Sequence, residues 1–462
     1  MSTVTSIPPR TRRNVELLLL LLAICIVLVA YVNVGLATTG GSLPPDLLTY
    51  GVGLLVITGA FHVVLRWRAS YADPLLLPIA TLLNGLGLVM IHRLDIAHSR
   101  DISEGLATRQ LMWSALSVVL AIGVIVFLRD HRHLARYTFT MMAAGLALLV
   151  LPLLPVIGSR VNGSNIWIQI GPFSFQPGEI AKILLTIFFA GYLVQTRDAL
   201  SLVGRRILGF PLPRARDLGP ILIAWLASLG VLVFQRDLGS SLLFFGLFVA
   251  MLYVATERRS WIAIGLLLFG GGAYAAYLMF GHVQERVLLW LHPFSEAALH
   301  VSDQLVLGLE GMASGGMLGT GLGRGHPDLT YFAESDFIFP SFGEEIGLVG
   351  AMALLLLYAL LVERGLRTAI GVRDGFGKLL ATGLAFSVAL QCFVVVGGVT
   401  RVIPLTGLTM PFLSQGGSSL VANWVIVALL LRISDQARRP APTAGTGGST
   451  VGHDDTQVVK AR

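Results

Sequence analysis

Long apolar runs constrain this chain more than any other feature of its sequence. Each is rich in aliphatic and aromatic side chains and is close to the roughly 20 residues that one membrane-spanning helix needs. The runs are 14–36, 48–66, 74–93, 110–128, 136–156, 179–195, 218–234, 240–256, 261–281, 338–362, 377–398 and 408–432. They predict an all-α polytopic membrane protein with about 12 transmembrane helices.

The low charge content excludes the soluble classes. Only 13% of the 462 residues are charged, whereas an average soluble domain carries about 25%. A chain this apolar has too little polar surface to coat a soluble globule, and it is the opposite of a disordered composition.

The distribution of Lys and Arg predicts the orientation in the membrane. The two tails and alternate loops hold 24 of the 33 basic residues, and the remaining loops hold 8. Basic residues concentrate on the cytoplasmic side of membrane proteins. We therefore expect both termini in the cytoplasm and a multi-pass protein of the cytoplasmic (inner) membrane. The net charge of +7 then faces anionic membrane lipids, so we expect no nucleic-acid partner.

Two segments differ in character from the spans. The stretch 433–462 is rich in Gly, Pro, Thr and Ala without apolar periodicity, and predicts a disordered cytoplasmic tail. The stretch 282–337 is a long extracytoplasmic loop with aromatic, glycine and charged residues. A loop of that length between spans is commonly functional.

A charged pair opens the sixth span. Pro177 suits the first position of a helix, and it places Glu179 and Lys182 three residues apart on one face. Such a pair is either a neutralised structural contact or part of a polar cavity, and we favour the cavity because intramembrane charges are expensive. Asp237, in contrast, is best read as the cap of the eighth span.

Further polar residues define a candidate site on the outer face. A carboxylate of the loop 282–337, such as Glu296 or Asp303, can act as a general base that accepts a proton from an attacking hydroxyl. Arginines suit a pyrophosphate because their planar fork binds phosphate oxygens. The candidate substrate-binding residues are Glu179, Lys182, Arg109, Arg286, Arg324, Asp336, Glu344, Glu345, Arg401 and Ser418.

Seven ordered motifs resemble the SEDS family, the shape, elongation, division and sporulation proteins RodA and FtsW. They lie at 176–182, 235–239, 290–294, 314–323, 335–339, 343–347 and 414–419. The resemblance implies that residues 74–432 form the family's ten-span core, and that 1–73 hold a tail and two extra spans. An additional N-terminal pair is similar to the RodA-like members of actinobacteria.

The resemblance implies a peptidoglycan glycosyltransferase. Such an enzyme polymerises lipid II into glycan strands outside the membrane, for cell elongation and shape or for division. It works with a class B penicillin-binding protein, which supplies transpeptidation. The leaving group, undecaprenyl pyrophosphate, would be stabilised by cationic side chains, with a divalent cation (Mg²⁺ or Mn²⁺) as a further candidate stabiliser.

The chain departs from the family pattern at the position of the essential carboxylate. The family has an Asp there, and this chain has Glu296, which we favour over Asp303 on grounds of position. Ala297 and His292 also replace the usual residues. Two alternatives therefore stay open: a flippase for lipid-linked precursors, and a non-catalytic scaffold for the penicillin-binding protein.

Overall fold

The chain folds almost entirely into helices. The computed structural model describes residues 11–38, 40–41, 43, 47–100, 105–155, 157–161, 164–170, 173–201, 206–207, 210–211, 215–235 and 237–440. Its helices are α1 Arg13–Thr38, α2 Leu47–Arg68, α3 Leu76–Ala97, α4 Leu106–Phe127, α5 Thr138–Val150, α6 Pro177–Ser201, α7 Ala215–Phe234, α8 Leu238–Thr256, α9 Ser260–Met279, α10 Gly281–Leu291, α11 Glu296–Val301, α12 Gln304–Gly315, α13 Ile338–Gly371, α14 Gly375–Val399 and α15 Gly417–Arg438. Short 3₁₀ turns cover His131–Tyr137, Leu151–Leu153 and Pro327–Leu329.

The predicted fold class is confirmed. In the part of the chain that the structure describes, eleven helical segments are long and apolar enough to cross a membrane. They are α1 to α6, α8, α9, α13, α14 and α15, with α5 extended by its flanking 3₁₀ turns. The twelfth expected span, 218–234, coincides with α7, some of whose side chains lie outside the described residues.

Helices α3 and α15 form the centre of the bundle. In the most apolar 18-residue stretch of each helix, 83% of the residues of α3 and 89% of those of α15 are buried inside the protein, whereas in α9 only 6% are buried. Trp424 of α15 is almost fully buried and packs against Phe61 of α2 and Phe412. The predicted extra spans are therefore packed into the bundle, since α1 also contacts α3 closely where Gly85 meets Val27.

The last predicted span, 408–432, is wrong at both ends. Helix α15 begins at Gly417 and continues to Arg438, so part of the tail predicted from 433 is helical; 441–462 lie outside the described residues. The stretch 400–416, which we call the inner segment, is non-helical. Pro404 and Pro411 explain its departure from helix, because proline removes a backbone donor and clashes with the preceding turn.

A small antiparallel sheet lies between α5 and α6 and was not predicted. Its strands are β1 Gly158–Val161, β2 Ser164–Ile170 and β3 Phe173–Phe175, and two-residue strands β4 Arg206–Ile207 and β5 Phe210–Pro211 form a separate pair. Ile168 of β2 pairs with Phe175 of β3. Alternating apolar residues at 166, 168 and 170 are the period-two signal that indicates such a strand.

The start of α1 and the end of α15 meet at one end of the bundle, which we call the terminal face. Arg13 donates to the carbonyl of Ala72. The neighbouring Asp73 is fully buried and forms ion pairs with Arg364, at an N–O distance of 3.0 Å, and with Arg438. The α10–α12 loop belongs to the opposite end of the bundle.

Replacement of Asp73 tests this arrangement. Asp73→Ala leaves the largely buried Arg364 without its carboxylate, and breaking a buried ion pair from one side costs about 3–5 kcal/mol. We expect a clearly lower unfolding midpoint in detergent, measured by the temperature at which the monodisperse fraction is lost. Arg438→Gln removes a more exposed partner and should have a smaller effect. An unchanged midpoint for Asp73→Ala would contradict the assignment.

Candidate functional site

The predicted charged pair at the start of α6 forms. The Lys182 ammonium donates to Glu179 Oε2 at 2.9 Å and to Gln391 Oε1 of α14 at 2.7 Å. Both charged side chains are buried, at 4% and 6% exposure. Gln391 in turn donates to the carbonyl of Thr409 in the inner segment at 2.9 Å. Helices α6 and α14 therefore hold one buried ammonium group, and Gln391 joins it to the stretch that contains Thr409.

A second group of charges lies beside this pair. Asp237 caps α8, as predicted, with Oδ1 accepting from the Ser240 amide at 2.9 Å. Withdrawal from water raises the pKa of Asp237 and of Asp336, and the nearby Arg286 guanidinium opposes that rise. Burial lowers the pKa of Arg286, against the effect of both carboxylates. The Glu179 carboxylate also acts on Asp237 and raises its pKa, so the two groups are electrostatic neighbours.

Gly407 lies between two members of this group. A side chain added there would place its Cβ 3.8 Å from Asp336 Oδ2 and 3.9 Å from Arg286 Nη2. The backbone of Gly407 has φ of +73°, a conformation that glycine adopts without strain. Glycine at this position therefore lets the inner segment turn directly beside the charges.

We call these five side chains the charged cluster: Glu179, Lys182, Asp237, Arg286 and Asp336. Polar groups withdrawn into a helix bundle commonly line a substrate path. The two cations can hold phosphate oxygens. Without substrate, Glu179 and Gln391 hold Lys182, and the carbonyl of Leu405 holds Arg286. Gln391 and the electrostatic role of Asp237 were missed from the sequence, although a lone amide within the apolar span 377–398 is itself a signal.

The inner segment forms a wall beside the cluster. Gln415 donates its backbone N–H to the carbonyl of Glu334 at 2.7 Å, and Ser414 donates its hydroxyl to the carbonyl of Ser335. These bonds join the inner segment to the residues just before Asp336. The predicted site residue Ser418 is buried in the first turn of α15, behind this wall.

The two candidate bases lie on the α10–α12 loop and outside the charged cluster. Glu296 is the first residue of α11, which Ser295 caps, and Asp303 immediately precedes α12. Both side chains are exposed. Both carboxylates are thus accessible to a substrate that approaches the cluster from the loop side.

Glu344 and Glu345 have partners within the protein. Glu344 Oε1 accepts from the His326 amide at 2.6 Å, and Glu345 accepts from Arg93 at 3.0 Å and from the Gly323 amide at 2.9 Å. The two carboxylates hold the glycine-rich stretch 315–325 against the start of α13. Both carboxylates therefore have a structural role, and their predicted contact with substrate stays a prediction.

Arg401 has backbone partners within the protein. Its guanidinium donates to the carbonyls of Trp290 at 3.1 Å and Leu291 at 3.4 Å, and its predicted contact with a pyrophosphate stays a prediction. Arg109 and Arg324 are exposed, outside the charged cluster. Their predicted contact with substrate stays a prediction.

The expected divalent cation has no matching set of protein ligands in the described ranges. Within them, no three or more His, Cys, Asp or Glu side chains come close enough together to hold a metal ion. The side chains of the described residues therefore do not fit a resident divalent cation.

The fold and the cluster together define a multi-pass membrane protein with a charged site at one end of its helix bundle. The chain belongs to the FtsW, RodA and SpoVE family of cell cycle proteins, whose family model matches residues 74–439. This confirms the resemblance seen in the seven motifs.

Individual relatives agree with this assignment. The peptidoglycan glycosyltransferase RodA of Mycobacterium tuberculosis is 49% identical over 457 residues, which cover 98% of this chain and 97% of that protein. A chain of a peptidoglycan synthase complex that coordinates polymerisation and crosslinking has a TM-score of 0.63 at 27% identity, covering 79% and 98%. The crystal structure of Thermus thermophilus RodA gives 0.55 at 26% identity, covering 80% and 98%.

The charge on Lys182 can be separated from its contribution to stability. Lys182→Met leaves Glu179 buried and unpaired, at a cost of about 3–5 kcal/mol. The double variant with Glu179→Gln is neutral and should recover most of that stability. If Lys182 acts on substrate, we expect both variants to polymerise glycan poorly per folded molecule. Normal polymerisation by the double variant would make the pair purely structural.

Proposed function

We propose that this protein polymerises lipid II at its charged cluster. The chain is a peptidoglycan glycosyltransferase of the FtsW, RodA and SpoVE family, and it matches the glycosyltransferase RodA over almost its whole length. The observation that carries the assignment to this site is the presence of two cations in one cluster, the buried Lys182 and the half-buried Arg286, beside a loop with exposed carboxylates. Cations suit the leaving pyrophosphate, and a carboxylate suits the attacking hydroxyl.

The proposed reaction needs one proton acceptor and one stabilised leaving group. A sugar hydroxyl of the acceptor attacks the anomeric carbon of the donor, and the bond from that carbon to the pyrophosphate oxygen breaks. The carboxylate of Glu296 accepts the hydroxyl proton. Lys182 and Arg286 face the negative charge that develops on undecaprenyl pyrophosphate. Glu179 and Gln391 hold Lys182, and the carbonyl of Leu405 holds Arg286, before the substrate arrives, so little reorganisation is needed.

A class B penicillin-binding protein is the proposed partner. The similar chain from a peptidoglycan synthase complex supports this proposal, because that complex joins polymerisation to crosslinking. The glycan product made here has no crosslinks, so a transpeptidase must act on it next.

The proposed location is the cytoplasmic membrane, with both termini in the cytoplasm. The excess of basic residues in the tails and alternate loops supports this orientation. The terminal face, which holds Arg13 and Arg438, would then be cytoplasmic, and the α10–α12 loop would be outside. Lipid II polymerisation outside the membrane requires this arrangement.

The identity of the base is tested by two isosteric variants. Glu296→Gln and Asp303→Asn each remove a negative charge and keep the size of the side chain. Loss of a general base lowers the rate by about 10²–10⁴-fold, and we expect that loss for Glu296→Gln alone. The measurement is glycan formation from purified lipid II in detergent, with the partner protein present.

Each outcome of that assay assigns a role. A normal rate for Glu296→Gln with a collapsed rate for Asp303→Asn would move the base to Asp303. Normal rates for both would favour a scaffold or a flippase, since a flippase needs two leaflets and forms no polymer in detergent.

The orientation is tested by labelling single cysteines in cells. On a background without Cys25 and Cys392, a cysteine at the exposed Ser314 of α12 should react with an impermeant maleimide from outside. A cysteine at Arg373, in the turn between α13 and α14, is the control and should react only after lysis. The reverse pattern would overturn the proposed topology.

A further inference from the structure

Trp290 and Arg401 hold each other's backbone. The Trp290 indole Nε1–H donates to the carbonyl of Arg401 at 3.0 Å, and Arg401 Nε donates to the carbonyl of Trp290 at 3.1 Å. A second guanidinium nitrogen reaches the carbonyl of Leu291 at 3.4 Å. We call this reciprocal contact the clamp. It joins the last turn of α10 to the first residues of the inner segment.

The clamp is one of two contacts that fix α10 along the inner segment. Four residues earlier on α10, Arg286 donates to the carbonyl of Leu405. The Trp290–Arg401 and Arg286–Leu405 contacts therefore show that α10 and the inner segment run antiparallel to each other. Helix α10 is held at two points one turn apart, so its rotation and its position along the inner segment are both defined.

The backbone of Arg401 indicates that this contact is specific. Its φ is +62°, in the left-handed region that few non-glycine residues adopt. Such a conformation persists only where its surroundings determine it, and it is enriched at functional sites. The guanidinium also lies at the C-terminal end of α10, where a cation is favoured by the helix dipole.

We infer that Trp290 and Arg401 are positioning residues for the glycosyl transfer. By fixing α10, the clamp sets where Arg286 stands in the charged cluster, and through 292–295 it sets where α11 begins with Glu296. The inference rests on the proposed function, which assigns the pyrophosphate contact to Arg286 and the base to Glu296. Neither clamp residue needs to touch the substrate.

Three variants remove the clamp in different ways. Trp290→Phe keeps an aromatic ring and removes the N–H donor. Arg401→Gln removes the charged fork. Arg401→Gly accepts the positive φ without strain but has no side chain. We expect each to lower kcat for lipid II polymerisation by about 10- to 100-fold, the scale expected from a displacement near 1 Å, with KM changed far less.

Matched variants separate positioning from general stability. Trp261→Phe is the control for Trp290→Phe, because its indole N–H has no acceptor among the residues that the structure describes; it should keep the wild-type kcat. Arg401→Lys keeps the charge and one donor and should recover part of the rate. The double variant Trp290→Phe/Arg401→Gln should lose little more than either single variant, because both break one contact. Rates are expressed per folded molecule from detergent gel filtration.

Two results would overturn the inference. If Arg401→Gly and Trp290→Phe polymerise at the wild-type kcat while Arg286→Gln and Glu296→Gln collapse, the proposed function stands and the clamp has no positioning role. If Arg286→Gln and Glu296→Gln keep the wild-type rate, the proposed site is wrong, and a loss in the clamp variants could not act through them. A loss in both sets, with non-additive clamp variants, supports the inference.

Discussion

Backbone that leaves the helical conformation inside a membrane bundle must find its hydrogen bonds within the protein, because lipid offers none. The inner segment meets this requirement with side chains from helices α4, α13 and α14, among others. Gln391 binds the carbonyl of Thr409, Tyr358 binds that of Pro411, and Gln110 binds that of Ser414. These side-chain hydrogen bonds to its backbone carbonyls therefore fix the position of the inner segment. The rest of the site is arranged around it.

Several functional features depend on that position. The Gln391 side chain that donates to the Thr409 carbonyl also accepts a hydrogen bond from Lys182. One amide therefore links the backbone of the inner segment to the charged cluster. Near the other end of the inner segment, Leu405 accepts from Arg286. The segment thus contacts both proposed pyrophosphate ligands, one through a side chain of α14 and one directly. A change in its path would move both cations together.

The fold was largely predictable, because a membrane span needs only a sufficiently long apolar run. The contact between Glu179 and Lys182 was also predicted correctly, since it follows from helical spacing, which is a local property. Contacts between residues that are distant in the chain were not predicted. Glu345 binds Arg93 across 252 positions and Arg401 binds Trp290 across 111, and no local pattern shows that a charged side chain already has a partner. The start of α15 was misplaced because the inner segment is as apolar as a helix.

The burial of α15 has a consequence for biosynthesis. Helices α1 to α14 leave the ribosome earlier, yet α15 supplies the middle of the bundle, with 89% of its most apolar window buried. Until α15 inserts, Asp73 lacks its ion pair with Arg438, and the helices that surround α15 in the native bundle have no partner at their inner surfaces. The native bundle therefore cannot close progressively from its N-terminal helices.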